Sequence, residues 1–216
     1  MLACDAIIFD LDGVLVDSNG IAERHMRAWT DRHGVSFDHI ASLHHGRTTV
    51  ETIRLVAPHL DAKIEADLLE GAEAVDTDGL VAFAGAAQLL AGLPRERWAI
   101  ATSGTRQTAM IRLSHVGLPL PNVLVTADDV ASGKPSPEPY LLAARRLGMD
   151  PTRCLVIEDA PAGIASARAA GARVIGVTST NSADKLAGAD IIVGRFADLR
   201  VVANNGTLVV ALSEAG

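Results

Sequence analysis

Cys154-Leu-Val-Ile157, the segment Ala162 to Ala170, and Val174-Ile-Gly-Val177 together decide the fold of this chain. Two short apolar runs flank one helical segment, so the unit reads strand, helix, strand. A second strand reached across a helix lies parallel to the first, with a right-handed crossover. Neither run alternates polar with apolar residues, which marks strands buried on both faces. The same unit recurs on either side. Ala6 to Phe9 reads as a strand ending in Asp10. Ala86 to Leu93 reads as helix, Trp98-Ala-Ile-Ala101 as strand, Arg106 to His115 as helix and Val123-Leu-Val125 as strand. Glu138 to Leu147 is helical, Asp184 to Leu186 starts a short helix and Ile191-Ile-Val193 is a strand. Leu208 to Leu212 adds an edge strand. The alternation predicts an α/β fold, a doubly wound parallel sheet covered by helices on both faces.

One stretch breaks the alternation. After Gly13 three helical patterns follow without a strand: Ile21, His25 and Trp29; Val50, Ile53 and Ala57; Ile64, Leu68, Ala72 and Val75. They predict a helical module of residues 17–82 inserted after the first strand, with residues 1–16 and 83–216 forming the α/β core. Six of the seven histidines lie in the module. His25 falls on the packed face of its helix, and His33, His39 and His59 read as surface. No pair has convincing metal-ligand spacing.

The chain has 216 residues, 49% of them hydrophobic, enough for a sizeable core. Its formal charge is 19 − 26 = −7 and its aromatic content 3%, which argues against a nucleic-acid partner. No apolar run exceeds five residues, so no membrane span is expected. The N-terminus carries Asp5 and Asp10 and no basic region, unlike a signal peptide. Cys4 and Cys154 sit in apolar stretches and read as free buried thiols in a reducing cytosol, giving a cytoplasmic expectation.

In doubly wound sheets ligands bind beyond the carboxyl ends of the strands. Asp10-Leu-Asp12-Gly13, Thr102-Ser103-Gly104 and Glu158-Asp159 stand at such ends, and Gly133-Lys134-Pro135 in the loop before the helix at 138. Each alone is an ordinary turn or cap. Together, four carboxylates on one rim require a cation, and all-oxygen donors suit Mg²⁺. Carboxylates, Mg²⁺ and one lysine read as a site for a phosphate dianion. Of Asp10 and Asp12, which point to the same side of an extended chain, one can attack phosphorus while the other serves the leaving oxygen. Ser103 and the N–H groups after it, Gly104 among them, can hold phosphate oxygens. Lys134 can offset charge between Asp10 and the phosphate.

The four stretches Asp10-Leu-Asp12-Gly-Val-Leu-Val-Asp17, Thr102-Ser103-Gly104, Gly133-Lys134-Pro-Ser-Pro-Glu-Pro-Tyr140 and Val156-Ile-Glu158-Asp159-Ala-Pro-Ala-Gly163-Ile resemble, in order, the four motifs of the haloacid dehalogenase (HAD) superfamily. The resemblance covers essentially the whole chain and implies a Rossmann-like core. It implies Asp10 as nucleophile and Asp12 as general acid/base. It also implies Mg²⁺ held by the Asp10 carboxylate, the Asp12 main-chain carbonyl and Asp159, with Glu158 ligating directly or through water. Ser103 and Lys134 would bind the transferring phosphoryl group. The insert resembles the α-helical cap of the β-phosphoglucomutase-like subgroup. His45-Gly46-Arg47-Thr48 and Trp98 to Thr105 look closest to glycerol-phosphate, 2-deoxyglucose-6-phosphate and related sugar-phosphate phosphatases, with His45 and Arg47 as cap residues selecting substrate. The expectation is a phosphatase of a small-molecule phosphomonoester, monomeric, whose cap opens for substrate and closes for chemistry. The alternative is a phosphosugar mutase. The mutases resembled carry a cap arginine where this chain has Thr49, with Arg47 two residues earlier.

Overall fold

The computed structural model describes residues 1–44, 49–204 and 207–212. It divides into two compact units, Met1–Asp17 with Leu80–Gly216, and Ser18–Gly79.

The larger unit contains β1 (Leu2–Cys4), β2 (Ala6–Phe9) and β3 (Val16–Asp17) before the insert. The smaller unit holds α1 (Asn19–His33), α2 (Phe37–His44), α3 (Thr49–Val56) and α4 (Ala62–Val75). The larger unit resumes with β4 (Val81–Ala82), α5 (Ala86–Ala91), β5 (Trp98–Ala101), α6 (Arg106–His115), β6 (Val123–Val125) and α7 (Glu138–Leu147). It ends with β7 (Cys154–Glu158), α8 (Pro161–Ala169), β8 (Arg173–Val177), β9 (Ile191–Val193), β10 (Leu199–Asn204) and β11 (Thr207–Leu212).

Six strands form one parallel sheet in the order β6-β5-β2-β7-β8-β9. Every residue of β2, β5 and β7 is buried, as expected of strands covered on both faces. Ala6 and Ile8 of β2 join Ala99, Val156, Tyr140, Ala143 and Ile164 in a core beneath α7 and α8. Successive side chains on a strand face opposite ways. Phe9 accordingly packs elsewhere, its ring centroid 6.3 Å from Trp98 and 6.2 Å from Phe196.

Two expectations change in this unit. Leu208 to Leu212 does not extend the main sheet. β11 is the middle strand of a separate antiparallel sheet, β1-β11-β10, because both β1 and β10 pair with it. Residues 183–188 form turns rather than a helix, although Leu186 is fully buried. The pair β3 and β4, antiparallel, was also without a sequence signal.

Among the described residues the smaller unit has four helices instead of three, the added member being α2. Its core gathers Met26, Trp29, Ile40, Ile53, Ala57, Ala62, Ala66 and Leu69. The packed stripe of α4 is therefore Ala62, Ala66 and Leu69. Ile64, Leu68 and Val75, expected on that face, are 56%, 60% and 56% exposed. Asp61 opens α4 by accepting hydrogen bonds from the Lys63 and Ile64 N–H groups at 3.0 and 3.2 Å. His33 is half-buried rather than on the surface: its ring lies 4.7 Å from that of Trp29, and Nε2 is 3.2 Å from Glu65 Oε2. His25, also half-buried, bonds Asp76 Oδ2 at 2.7 Å.

Candidate active site

β2 and β7 are neighbours at the centre of the sheet, with Phe9 opposite Ile157. The Asp10 N–H extends their pairing by donating to the Ile157 carbonyl at 3.0 Å. Asp10 therefore emerges beside Glu158 and Asp159 at the same end of the sheet. One carboxylate oxygen from each of the three lies within 4.8 Å of the others, and all three residues are buried.

Lys134 arrives from the loop before α7. The loop is tied to that helix: Ala131 and Ser132 N–H each donate to the Glu138 carboxylate at 2.9 Å. The side chain, 7% exposed, donates from Nζ to Asp10 Oδ1 and Glu158 Oε1, both at 2.7 Å. Tyr140, one turn into α7, donates its hydroxyl to the same Glu158 Oε1 at 2.8 Å, and Lys134 Nζ lies 5.0 Å from its ring centroid. The other Glu158 oxygen accepts from the Asp159 and Ala160 N–H groups at 2.9 Å each. Glu158 thus accepts four hydrogen bonds inside the protein.

Glycines make room for this cluster. A Cβ built on Gly163 would sit 1.7 Å from Glu158 Oε1. A Cβ built on Gly13, whose φ is +78°, would sit 2.1 Å from Asp159 Oδ2. The loop after β8 closes the other side. Thr180 bonds the Asp159 carboxylate through its hydroxyl, Asn181 Nδ2 donates to the Asp159 carbonyl at 3.1 Å, and the Ser179 hydroxyl donates to the Gly13 carbonyl.

Electrostatics match the crowding. Burial raises Asp10 well above the usual carboxylate range; Lys134 opposes the shift, and the charges of Glu158 and Asp159 add to it. Burial and Glu158 raise Asp159 to about 7, against the lowering bond from Thr180. Burial disfavours the charged form of Lys134, but Asp10 and Glu158 outweigh it and hold the ammonium well above its ordinary value. One lysine faces three carboxylates. The donor set is all oxygen, preformed and short of positive charge, which fits a small hard divalent cation.

Asp12 lies apart from the three-carboxylate cluster. It sits in the turn after β2 and its carboxylate forms an ion pair with Arg112 of α6. Asp12 itself forms an isolated bridge to Val16. Ser103 follows β5, the other neighbour of β2, and is exposed. The Gly104 N–H, expected to face a phosphate, donates to Thr102 Oγ1 at 3.1 Å, while its carbonyl accepts from Ala127 N–H. His45 and Arg47 lie outside the described residues. Sequence reasoning assigned no role to Tyr140, Thr180, Asn181 or Arg112. Tyr140 closes the quoted Lys134 motif and was open to notice, whereas the other three carry no local signal.

An α/β core with this rim of carboxylates and lysine defines a class of hydrolase, and residues 4–171 match the model of the haloacid dehalogenase-like hydrolases. The chain belongs to that family. Hexitol phosphatase A of Escherichia coli (strain K12) is 39% identical, over 97% of this chain and 100% of its own. Glycerol-1-phosphate phosphohydrolase 2 of Saccharomyces cerevisiae is 36% identical, over 93% of this chain and 86% of its own. Among solved structures, CbbY from Rhodobacter sphaeroides, crystallised with phosphate, superposes with a TM-score of 0.74 at 26% identity, covering 90% of this chain and 96% of that one.

Proposed function

We propose that the chain is a Mg²⁺-dependent phosphomonoester hydrolase that acts on a small sugar or polyol phosphate and carries the phosphoryl group transiently on Asp10. The observation that carries this reading is the convergence of Asp10, Glu158 and Asp159 at the ends of adjacent strands, with Lys134 bonded to the first two. Relatives that are hexitol and glycerol-1-phosphate phosphatases support the substrate class.

Asp10 attacks phosphorus, and the bond from phosphorus to the ester oxygen breaks. An alkoxide is a poor leaving group, so Asp12 delivers a proton to it and the alcohol departs. Water then attacks the aspartyl phosphate, Asp12 takes a proton from it, and inorganic phosphate leaves with Asp10 restored. Lys134, fixed between Asp10 and Glu158, screens their charge from the incoming dianion. Ser103 and the N–H groups beside it bind phosphoryl oxygens once substrate displaces their local partners. The Asp10 carboxylate, the Asp12 carbonyl and Asp159 would hold Mg²⁺, with Glu158 as a direct or water-mediated ligand. The ion supplies positive charge to the phosphoryl oxygens. His45 and Arg47 of the helical insert would select the substrate.

Cys4 and Cys154 are free and buried, and burial pushes their thiols up to about 11 and about 12. Thiols so rarely ionised are poor nucleophiles and take no part in the chemistry above. Among the described residues no helix is long and apolar enough to cross a membrane.

The test is phosphate release from glycerol phosphates, hexose 6-phosphates, 2-deoxyglucose 6-phosphate, pentose phosphates and β-glucose 1-phosphate, with Mg²⁺ and with a chelator. Metal-dependent release from several of them is expected. No release, with β-glucose 1-phosphate instead converted to glucose 6-phosphate when a bisphosphate primer is present, would overturn the reading in favour of a mutase.

A further inference from the structure

Arg112 occupies the buried face of α6 together with Thr108, Ala109 and Leu113. Its side chain is 10% exposed, and its Nε has no hydrogen-bond partner among the described residues. Burying a guanidinium is costly unless its charge is matched. On this face a leucine or methionine would satisfy the packing. The charge that meets Arg112 is the carboxylate of Asp12, engaged between Nη1 and Oδ1. The two groups come from separate elements, the turn after β2 and the second turn of a helix that starts just beyond Ser103 and Gly104. Lys134 serves Asp10 and Glu158. Among the described residues two separate cations thus serve these carboxylates: Lys134 bonds Asp10 and Glu158, and Arg112 holds Asp12.

We propose that Arg112 is the positioning residue of Asp12: its buried guanidinium, anchored on α6, fixes where the Asp12 carboxylate stands relative to the leaving-group oxygen. The proposal rests on the phosphatase reading above and deepens it. An aspartate side chain held by no fixed partner samples several rotamers, and only some direct its carboxylate at the ester oxygen. A planar guanidinium held by helix packing restricts that choice. Arg112 acts through Asp12 and is not itself required to touch substrate.

A purely structural arginine would support all substrates alike. A positioning residue for the proton donor matters most where the leaving group needs a proton. The distinguishing quantity is kcat/KM, which reports steps only through the first irreversible one and so isolates phosphoryl transfer to Asp10. It would be measured for Arg112→Met and Arg112→Lys on two esters: the alkyl phosphate that the parent chain turns over best, and p-nitrophenyl phosphate, whose leaving group departs as a stable anion. General acid catalysis contributes about 10²–10⁴-fold, so misplacing the acid removes a large part of that on the alkyl ester. Arg112→Met is expected to lower kcat/KM on the alkyl phosphate by about 100-fold, with the loss on the aryl ester at least tenfold smaller. Arg112→Lys keeps the charge but loses the fork and should recover part of the alkyl activity. If Arg112→Met does not fold, the ratio of alkyl to aryl losses in Arg112→Lys carries the same information. Equal losses on both esters, in a parent that hydrolyses both, would overturn the Arg112 assignment alone. A parent that releases phosphate from neither ester would overturn the reading beneath it.

Discussion

Replacing Gly163 by alanine tests whether Glu158 is held as described. Gly163 lies within α8, where alanine normally stabilises a helix by about 1 kcal/mol over glycine. Here the added Cβ would stand 1.7 Å from Glu158 Oε1, 1.9 Å from its Cδ and 2.4 Å from Oε2. Ordinary carbon contacts need roughly 1.5–2 Å more than this. A free glutamate would swing away at little cost, but this one is 1% exposed and accepts hydrogen bonds from Lys134, Tyr140, Asp159 and Ala160. Hydrogen bonds to a charged group contribute about 1.5–3 kcal/mol each. Losing two of the four costs about 3–6 kcal/mol, and the helix gain offsets about 1, so the net destabilisation is about 2–5 kcal/mol. Urea unfolding would read it as a lower midpoint. Gly71→Ala supplies the opposite sign: Gly71 lies inside α4 with nothing within 4 Å of its built Cβ, so that variant should gain about 1 kcal/mol in the same assay. A Gly163→Ala protein as stable as the parent would refute the account of how Glu158 is anchored.

Asp10→Asn removes the attacking oxygen's charge and should lower kcat by about 10⁴-fold or more, read by phosphate release; substantial remaining turnover would mean another nucleophile. Asp61→Ala leaves two N–H groups of α4 without their acceptor and should cost about 1 kcal/mol in thermal or urea unfolding. Burial works to raise Asp129, but bonds from Arg146 and Thr126 overcome it and lower the carboxyl to about 2. A depressed pKa contributes stability that is complete above the unfolded value, near 4, and disappears as pH falls through about 2. Between pH 5 and pH 2 the parent should therefore lose about 1–2 kcal/mol more than Asp129→Asn does, as measured by urea midpoints across that range.

The parallel sheet was legible because strands buried on both faces are short apolar runs, and those here end abruptly in Asp10 and Glu158. The helical insert was legible as helix but not in phase. α4 carries two interleaved stripes four residues apart, Ile64 with Leu68 and Ala62 with Ala66, and the bulkier pair is the exposed one. Small residues let α4 approach its neighbours closely, something a ranking by hydrophobicity overlooks. α2 was not read from the sequence, although Phe37 and Ile40 stand at helical spacing and pack in the core of the smaller unit. In the site, the carboxylates and Lys134 were visible as residues at strand ends and in one loop. Arg112, Thr180 and Asn181 were not, since each matters through a contact set by tertiary packing: Arg112 reaches back 100 positions to Asp12, and Thr180 reaches 21 to Asp159. The C-terminal strand was visible, but one of its two partners, β1, lies at the other end of the chain.

The central place of β2 has a consequence for how the molecule is made. The strand leading to Asp10 is synthesised long before the second of its partners, β5 and β7, since β7 begins only at residue 154. Until then β2 has at most one neighbour and an open edge, the kind of unpaired strand through which nascent chains misassociate. β1 waits longer still, for β11 beyond residue 207. Pairings so distant along the chain carry a large loop-closure cost and slow the search for the native topology. The carboxylate cluster consequently cannot assemble piecemeal during translation: it appears only when the ribosome has delivered most of the sheet.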